Sequence, residues 1–190
     1  YGNEHFEIFA NGFYNKINDY IFLSPTGEIE ADASVFIYEQ SDADLFGGEF
    51  GIHLHPHPLD WLHLESTFST VTGKQADDHY LPLIPANKWA NVVRAEFNGN
   101  SFLEDYYFSF EVDSFFAQNK VSDFETPTDA YNLLGLSLGG NMKFKKFGMR
   151  ANLNINNLLD ESYISHLSAL KVDQVQNPGR NIVPGLVFVF

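Results

Sequence analysis

Residues 106–116 read Tyr-Tyr-Phe-Ser-Phe-Glu-Val-Asp-Ser-Phe-Phe, a stretch whose side chains fall into two alternating sets. Successive side chains of a β-strand point to opposite faces, so this period of two predicts a strand with one apolar face. The apolar set is Tyr106, Phe108, Phe110, Val112, Ser114 and Phe116, and the other set is Tyr107, Ser109, Glu111, Asp113 and Phe115. The stretch therefore indicates an all-β fold.

The same alternation recurs along the chain and predicts eight long strands. We place them at 4–22, 34–55, 61–73, 87–98, 104–117, 131–145, 148–158 and 179–190. Short connections at 56–60, 99–103 and 146–148 alternate with long polar connections at 23–33, 74–86, 118–130 and 159–178. Short turns at one end and long loops at the other are typical of a transmembrane, antiparallel up-and-down β-barrel.

The composition argues against several classes of protein. The chain has 190 residues, no cysteine and a net charge of −14. A disulfide scaffold and a cysteine nucleophile are therefore excluded. A nucleic-acid partner is not expected, because such binding depends on Lys and Arg at the phosphates. Tyr1 is not followed by a charged and apolar leader, so we expect either a mature protein or a part of a longer one.

Two architectures fit the alternation. A soluble barrel or sandwich buries its apolar face, whereas a membrane barrel turns that face to lipid and its polar face to a wet lumen. Strand length and the terminal aromatic Phe190 favour the membrane barrel. Aromatic residues also cluster near strand ends, as interfacial belts require. They are Tyr14, Tyr20, Phe22, Trp61, Trp89, Tyr106, Tyr107, Tyr131, Phe144 and Phe147.

Four ordered motifs carry a family resemblance. Residues 13–21 read Phe-Tyr-Asn-Lys-Ile-Asn-Asp-Tyr-Ile, and Gly48-Glu49 precedes Phe50. The last third contributes Asn157, Leu158, Asp160 and Tyr163, then Pro178, Gly179 and Arg180, and ends on Phe190. In this order the motifs resemble those of TonB-dependent outer-membrane receptors, whose last strand follows a Pro-Gly-Arg segment.

The resemblance implies a 22-stranded barrel closed by an N-terminal plug in the outer membrane of a Gram-negative bacterium. It also implies TonB-dependent uptake of a nutrient such as a siderophore, metal chelate, vitamin or oligosaccharide. Such a barrel needs roughly 500 residues or more, so we expect residues 1–190 to be the C-terminal segment, without the plug. The implied partners are outer-membrane lipid, the remaining strands and plug, TonB through that plug, and the assembly machinery. The resemblance further implies that this machinery reads Leu186, Phe188 and Phe190, although a plain lipid-facing strand would also place them outward.

Four histidines lie close together in the sequence: His53, His55, His57 and His63. The alternation places His53 and His55 on the polar face of one strand and His63 on that of the next, with Glu65. Imidazole binds zinc, copper, iron and nickel, which makes His53, His55 and His63 weak candidates for a metal site. The favoured interpretation is a polar lining near a periplasmic turn, in contact with the plug. We therefore expect no metal and no cofactor.

Acidic runs in the long connections are the second group of candidates. They are Glu28, Glu30 and Asp32; Asp42 and Asp44; Asp77 and Asp78, followed by His79 and Tyr80; and Asp123, Glu125 and Asp129. Carboxylates of this kind bind calcium in some proteins, but solvated loops are the favoured interpretation. Asp77, Asp78, His79 and Tyr80 are candidates for contacts with an external ligand, and a negative rim would attract a basic substrate or a ferric complex.

Enzymatic chemistry is not expected. Ser66, Ser69, His63 and Glu65 include the residue types of a hydrolase, but no Gly-x-Ser-x-Gly elbow is present. An outer-membrane acyl hydrolase is therefore a minor alternative. A stronger alternative is an independent eight-stranded outer-membrane barrel with a structural or adhesion role, since eight strands are enough to close a small barrel. A soluble ligand-binding barrel is a further alternative.

Overall fold

The computed structural model describes residues 1–3 and 5–190 and contains one eight-stranded antiparallel sheet in the order β1 to β8. The strands are β1 (Phe6–Glu30), β2 (Ala33–Leu54), β3 (Leu62–Gln75), β4 (Lys88–Phe97), β5 (Leu103–Phe115), β6 (Tyr131–Lys143), β7 (Gly148–Asn156) and β8 (Asn181–Val189). Each strand pairs with its neighbours in sequence, so the predicted all-β up-and-down meander is confirmed. Within the described ranges no helix is long and apolar enough to cross a membrane.

The strand register sorts the side chains into one polar and one apolar face. His53 pairs with Glu65, Ala90 with Asp113, and Asn141 with Arg150. Since paired residues share a face of the sheet, the following residues form what we call the polar face: Glu49, His53, Glu65, Arg94, Glu96, Glu111, Asp113, Asn141 and Arg150. The apolar face includes Phe50, Leu64, Val93, Phe110, Leu136, Leu153 and Leu186.

The sheet is open, because β1 and β8 lie at opposite ends of the strand order. In the described part of the chain no strand pairs with their outer edges, and only residues 1–3 contact that edge of β1, through a bridge between Gly2 and Glu7. Among residues 1–3 and 5–190 nothing forms a second layer over the apolar face: Phe50 is 46% exposed and Leu186 is 60% exposed. The buried hydrophobic cluster is small and consists of Phe22, Ala43, Leu81 and Ile84, where the β3–β4 loop folds over the polar face. A face this apolar and this uncovered suits contact with lipid rather than with water.

The first hairpin is longer than the sequence predicted. The expected loop at 23–33 is mostly strand, and only Ala31 and Asp32, both at positive φ, form the turn. The turn-forming residues 26–28 are accommodated as a bulge, where the register shifts between Pro25 and Ile29. Thr26 Oγ1 donates a hydrogen bond to Val35 O at 3.1 Å across this bulge, which keeps the two strands together.

Candidate functional sites at the two ends of the sheet

Three histidines meet on the polar face at the end of the sheet that carries the short turns. His53 lies on β2, His55 follows its end, and His63 lies on β3. Leu54 pairs with Leu64, so the hairpin register brings the three imidazoles together. One ring nitrogen from each lies within 4.8 Å of the others, and the ring centroids of His53 and His55 are 4.2 Å apart.

Two carboxylates flank these imidazoles, which we call the histidine cluster. Glu65 Oε1 lies 3.6 Å from His53 Nε2, and Glu96 Oε2 lies 3.8 Å from His63 Nε2. Glu96 already accepts a hydrogen bond from Arg94 Nε at 2.5 Å. His53 Nε2 is buried and has no hydrogen-bond partner in the described part of the chain. His57, by contrast, is exposed and its Nδ1 contacts Asp60 Oδ1 at 3.2 Å.

The serines, histidine and glutamate that could have suggested a hydrolase do not form one site. Ser66 lies on the apolar face, where its hydroxyl donates to Asn91 Oδ1 at 2.8 Å and accepts from Trp89 Nε1 at 2.8 Å. His63 and Glu65 lie on the polar face of the same strand, because residues an odd number of positions apart point to opposite faces. Ser69 shares their face but lies six positions from His63 along β3. The four residues do not meet.

The long loops lie at the other end of the sheet. In the β3–β4 loop, Asp78 contacts Lys74 Nζ at 3.0 Å, and Tyr80 forms an isolated bridge with Lys74. His79 Nδ1 contacts Asp123 Oδ2 of the next long loop at 2.7 Å, and Asp77 is exposed. These candidate contact residues are therefore accessible and face the loop end.

One carboxylate that the sequence assigned to a solvated loop is buried. The Glu125 side chain is 7% exposed and joins three long loops. Its Oε1 accepts from the Leu83 amide at 3.1 Å and lies 3.8 Å from Lys171 Nζ, and its Oε2 accepts from the Ser122 hydroxyl at 3.1 Å. The sequence prediction was wrong for Glu125 because the three loops carry no periodic pattern that shows their contacts.

His166 lies beside this carboxylate and was not singled out from the sequence. It is 4% exposed, and its Nδ1 contacts Thr128 Oγ1 at 3.1 Å. Burial lowers the pKa of His166, and the nearby Lys171 ammonium lowers it further, while Glu125 acts in the opposite direction. The neutral imidazole is therefore favoured inside the packed loops. A histidine and a lysine within the polar segment 159–178 were the only sequence signal for this contact.

Several of the motif residues form hydrogen bonds within the loop between β7 and β8. Asn157 accepts from the Glu161 amide at 2.8 Å and donates to Glu161 O at 2.9 Å. Asp160 Oδ1 accepts from the Arg180 amide at 2.7 Å, and Arg180 Nε donates to Leu158 O at 2.7 Å. A Cβ at Gly179 would collide with the Asp160 carboxylate, which explains a glycine at this position.

The other motif residues support the strands that enter and leave the sheet. The ring centroid of Tyr163 lies 4.5 Å from that of Tyr131, at the start of β6. Pro178 directly precedes Gly179 and Arg180. At Gly48 a Cβ would come close to Asn11 O of β1, while Glu49 lies on the polar face. Leu186 and Phe188 lie on the apolar face of β8, and the rings of Phe188 and Phe190 both approach Phe147.

Comparison with known proteins agrees with this geometry. The family model described as "TonB dependent receptor-like, beta-barrel" matches residues 1–158. Among solved structures, the chain is similar to one titled "Copper transporter OprC", with a TM-score of 0.80 and 20% sequence identity. The match covers 100% of this chain and 29% of that one. This structural likeness supports the fold, and the chain spans less than a third of the length of the protein it resembles.

Proposed function

The chain belongs to the TonB-dependent receptor-like β-barrel family, and we propose on that basis that it forms part of the wall of an outer-membrane receptor. In this proposal the receptor takes up a nutrient with energy delivered through TonB and a plug domain. The observation that carries the proposal is the open sheet with one uncovered apolar face and one charged face. In this proposal the apolar face contacts lipid, and the charged face contacts the water of the lumen and the plug.

The proposal includes an orientation of the sheet in the membrane. Short turns of outer-membrane barrels face the periplasm and long loops face outward. The loops at 76–87, 116–130 and 157–180 then form part of the external mouth, where Asp77, Asp78, His79 and Tyr80 meet the nutrient. We expect Asp78→Asn to weaken uptake of a basic or ferric substrate more than Asp173→Asn, which removes the same charge from another loop.

Deletion of the gene for the full-length receptor tests the transport function. The deletion strain and its parent are grown on defined limiting sources of iron, copper, vitamins and glycans. Copper is included because the similar solved structure is titled a copper transporter. We expect growth to fail on one source and to return with the intact gene but not in a strain without TonB. Equal growth on every source, with altered attachment or envelope integrity, would instead support the structural alternative.

The C-terminal residues serve the assembly of this receptor. Leu186, Phe188 and Phe190 present alternate hydrophobic side chains at the end of the chain, and the first two lie on the apolar face. We expect Phe188→Ser to reduce the amount of folded receptor in the outer membrane. The matched change Val187→Ser alters the opposite face of β8 and should reduce it less, as measured by heat-modifiable mobility on gels.

A further inference from the structure

We propose that the histidine cluster binds one divalent first-row transition-metal ion, such as Zn²⁺, Cu²⁺ or Ni²⁺. His53, His55 and His63 supply the ligands, and the site lies on the polar face at the short-turn end of the sheet. The sequence alone favoured a simple polar lining for these residues. The structure adds two observations that a lining does not require: the convergence of three ring nitrogens and an unpartnered buried one.

The convergence is close to what a metal ion needs. Imidazole nitrogens bind zinc at about 2.0–2.1 Å, so two ligands of a tetrahedral ion lie about 3.3 Å apart. In the structure the three nitrogens lie within 4.8 Å of one another. The ring nitrogens would therefore have to approach one another by about 1.5 Å. Rotation of the imidazole side chains about χ1 and χ2 allows this without a change in strand register.

The unpartnered nitrogen also points to a ligand. His53 Nε2 is buried and makes no hydrogen bond within the described residues. Leaving a buried polar group without a partner is unfavourable, and such a group in a native protein calls for an explanation such as a bound water or ion. A single water would satisfy His53 alone, whereas a metal ion also accounts for the convergence of the other two imidazoles.

The surrounding charges suit a cation. Glu65 and Glu96 place two carboxylates beside the imidazoles, at 3.6 Å and 3.8 Å from ring nitrogens. Arg94 pairs with Glu96, so these two charges offset each other and Glu65 supplies the net negative charge beside the imidazoles. Glu65 is half exposed and its Oε1 lies 3.6 Å from His53 Nε2, which makes it the candidate fourth ligand. Neutral imidazole with one carboxylate is a ligand set that zinc, copper and nickel accept.

An ion bound here would join two strands and the turn between them. His53 lies on β2, His63 on β3, and His55 at the start of the connection. The site depends only on this hairpin and not on the identity of the transported nutrient. Its failure would therefore leave the proposed transport function intact, and a failure of transport would leave the site intact.

Calorimetric titration of the purified full-length receptor tests the site. The receptor carries no polyhistidine tag, and ZnCl₂, CuCl₂ and NiCl₂ are titrated separately. We compare the wild type with His53→Gln/His63→Gln, with His55→Gln, and with the matched control His57→Gln. For at least one ion, the double variant should bind one equivalent of the ion fewer than the wild type. His55→Gln should raise the dissociation constant of that ion about tenfold. His57→Gln should bind as the wild type does.

Equal stoichiometry and affinity in all four proteins, for all three ions, would overturn the proposal. A second measurement on the wild type applies if the variants do not assemble. Diethylpyrocarbonate modifies accessible neutral imidazoles, and mass spectrometry locates the modified residues. The ion should protect His53, His55 and His63 while His57 still reacts. Unchanged modification of the three histidines at saturating ion would contradict the site.

Discussion

At the scale of the residue, a few buried polar side chains organise the long loops. Glu125 accepts hydrogen bonds from two different loops and lies beside the ammonium of Lys171 on a third. Its burial is tolerated because a buried carboxylate needs both a counter-charge and hydrogen bonds, and both are present. The three loops at the proposed external mouth are thus joined to one another by the charge and hydrogen bonds of Glu125.

The protonation state of His166 should make this loop packing sensitive to acid. The pKa of His166 is lowered in the folded loops by burial and then by Lys171, with Glu125 opposing. An unfolded histidine titrates near 6.5. Protonation therefore favours the opened loops below that pH and has no effect above it. We expect amide exchange in 116–130 and 157–180, corrected for intrinsic rates, to accelerate as the pH falls below about 6.5.

The variant His166→Gln is the control for this effect. Glutamine keeps a hydrogen-bonding group near Thr128 but does not titrate. Exchange in the variant should therefore change little between pH 7.5 and pH 5.5, after the same correction. An equal acid response in the wild type and the variant would assign the effect to another group.

Asp160 should hold the start of β8 in place. Its carboxylate accepts the Arg180 amide hydrogen at 2.7 Å, and Arg180 in turn donates to Leu158 O. Loss of one hydrogen bond costs about 1 kcal/mol, so Asp160→Ala should accelerate local amide exchange near 158–163 and 178–182 about fivefold. Asp173→Ala, an exposed change in the same loop, should leave exchange there unaltered. Similar exchange in both variants would show that the contact does not hold the loop.

At the scale of the element, alternation alone predicted most of the fold. It identified eight strands and placed Glu111 and Asp113 on the face opposite Phe110, as the register confirms. It missed the length of the first hairpin, because residues 26–28 look like a turn and the chain accommodates them as a bulge. It also predicted that His53 and His63 share a face, but their separation depends on hairpin register, which no periodicity specifies.

An introduced charge should destabilise the receptor much more on the apolar face of β6 than on its polar face. Leu136 lies on the apolar face and pairs with Phe110, whereas Ser137 lies on the polar face and pairs with Ser109. An Arg on the lipid face near the bilayer midplane costs about 2–4 kcal/mol, while lumen positions tolerate it. Leu136→Arg should lower the free energy of unfolding of the receptor by this amount, measured by denaturant titration in bilayers, and Ser137→Arg should lower it little. Equal losses would contradict the assignment of the faces.

At the scale of the whole molecule, the open edges determine how the chain behaves. β1 after Ile8 and β8 along its length each have an outer edge that no described strand pairs, and every unsatisfied backbone group costs several kcal/mol in hydrocarbon. A membrane barrel therefore needs every edge to be paired. Under the proposed function, the outer edges of β1 and β8 would pair with further strands of the receptor wall; the chain covers 29% of the similar structure.

Residues 1–190 produced alone should therefore associate when refolded in detergent. Two unpaired edges on each copy can pair with those of other copies, and edge strands of this length are ready templates for such pairing. Light scattering with size-exclusion chromatography should show oligomers for the isolated chain and a smaller number of copies per particle for the full-length receptor. A monomer of 190 residues that unfolds cooperatively and resists protease would mean that eight strands close on themselves. That result would favour the independent small barrel, because only closure pairs β1 with β8 within one copy.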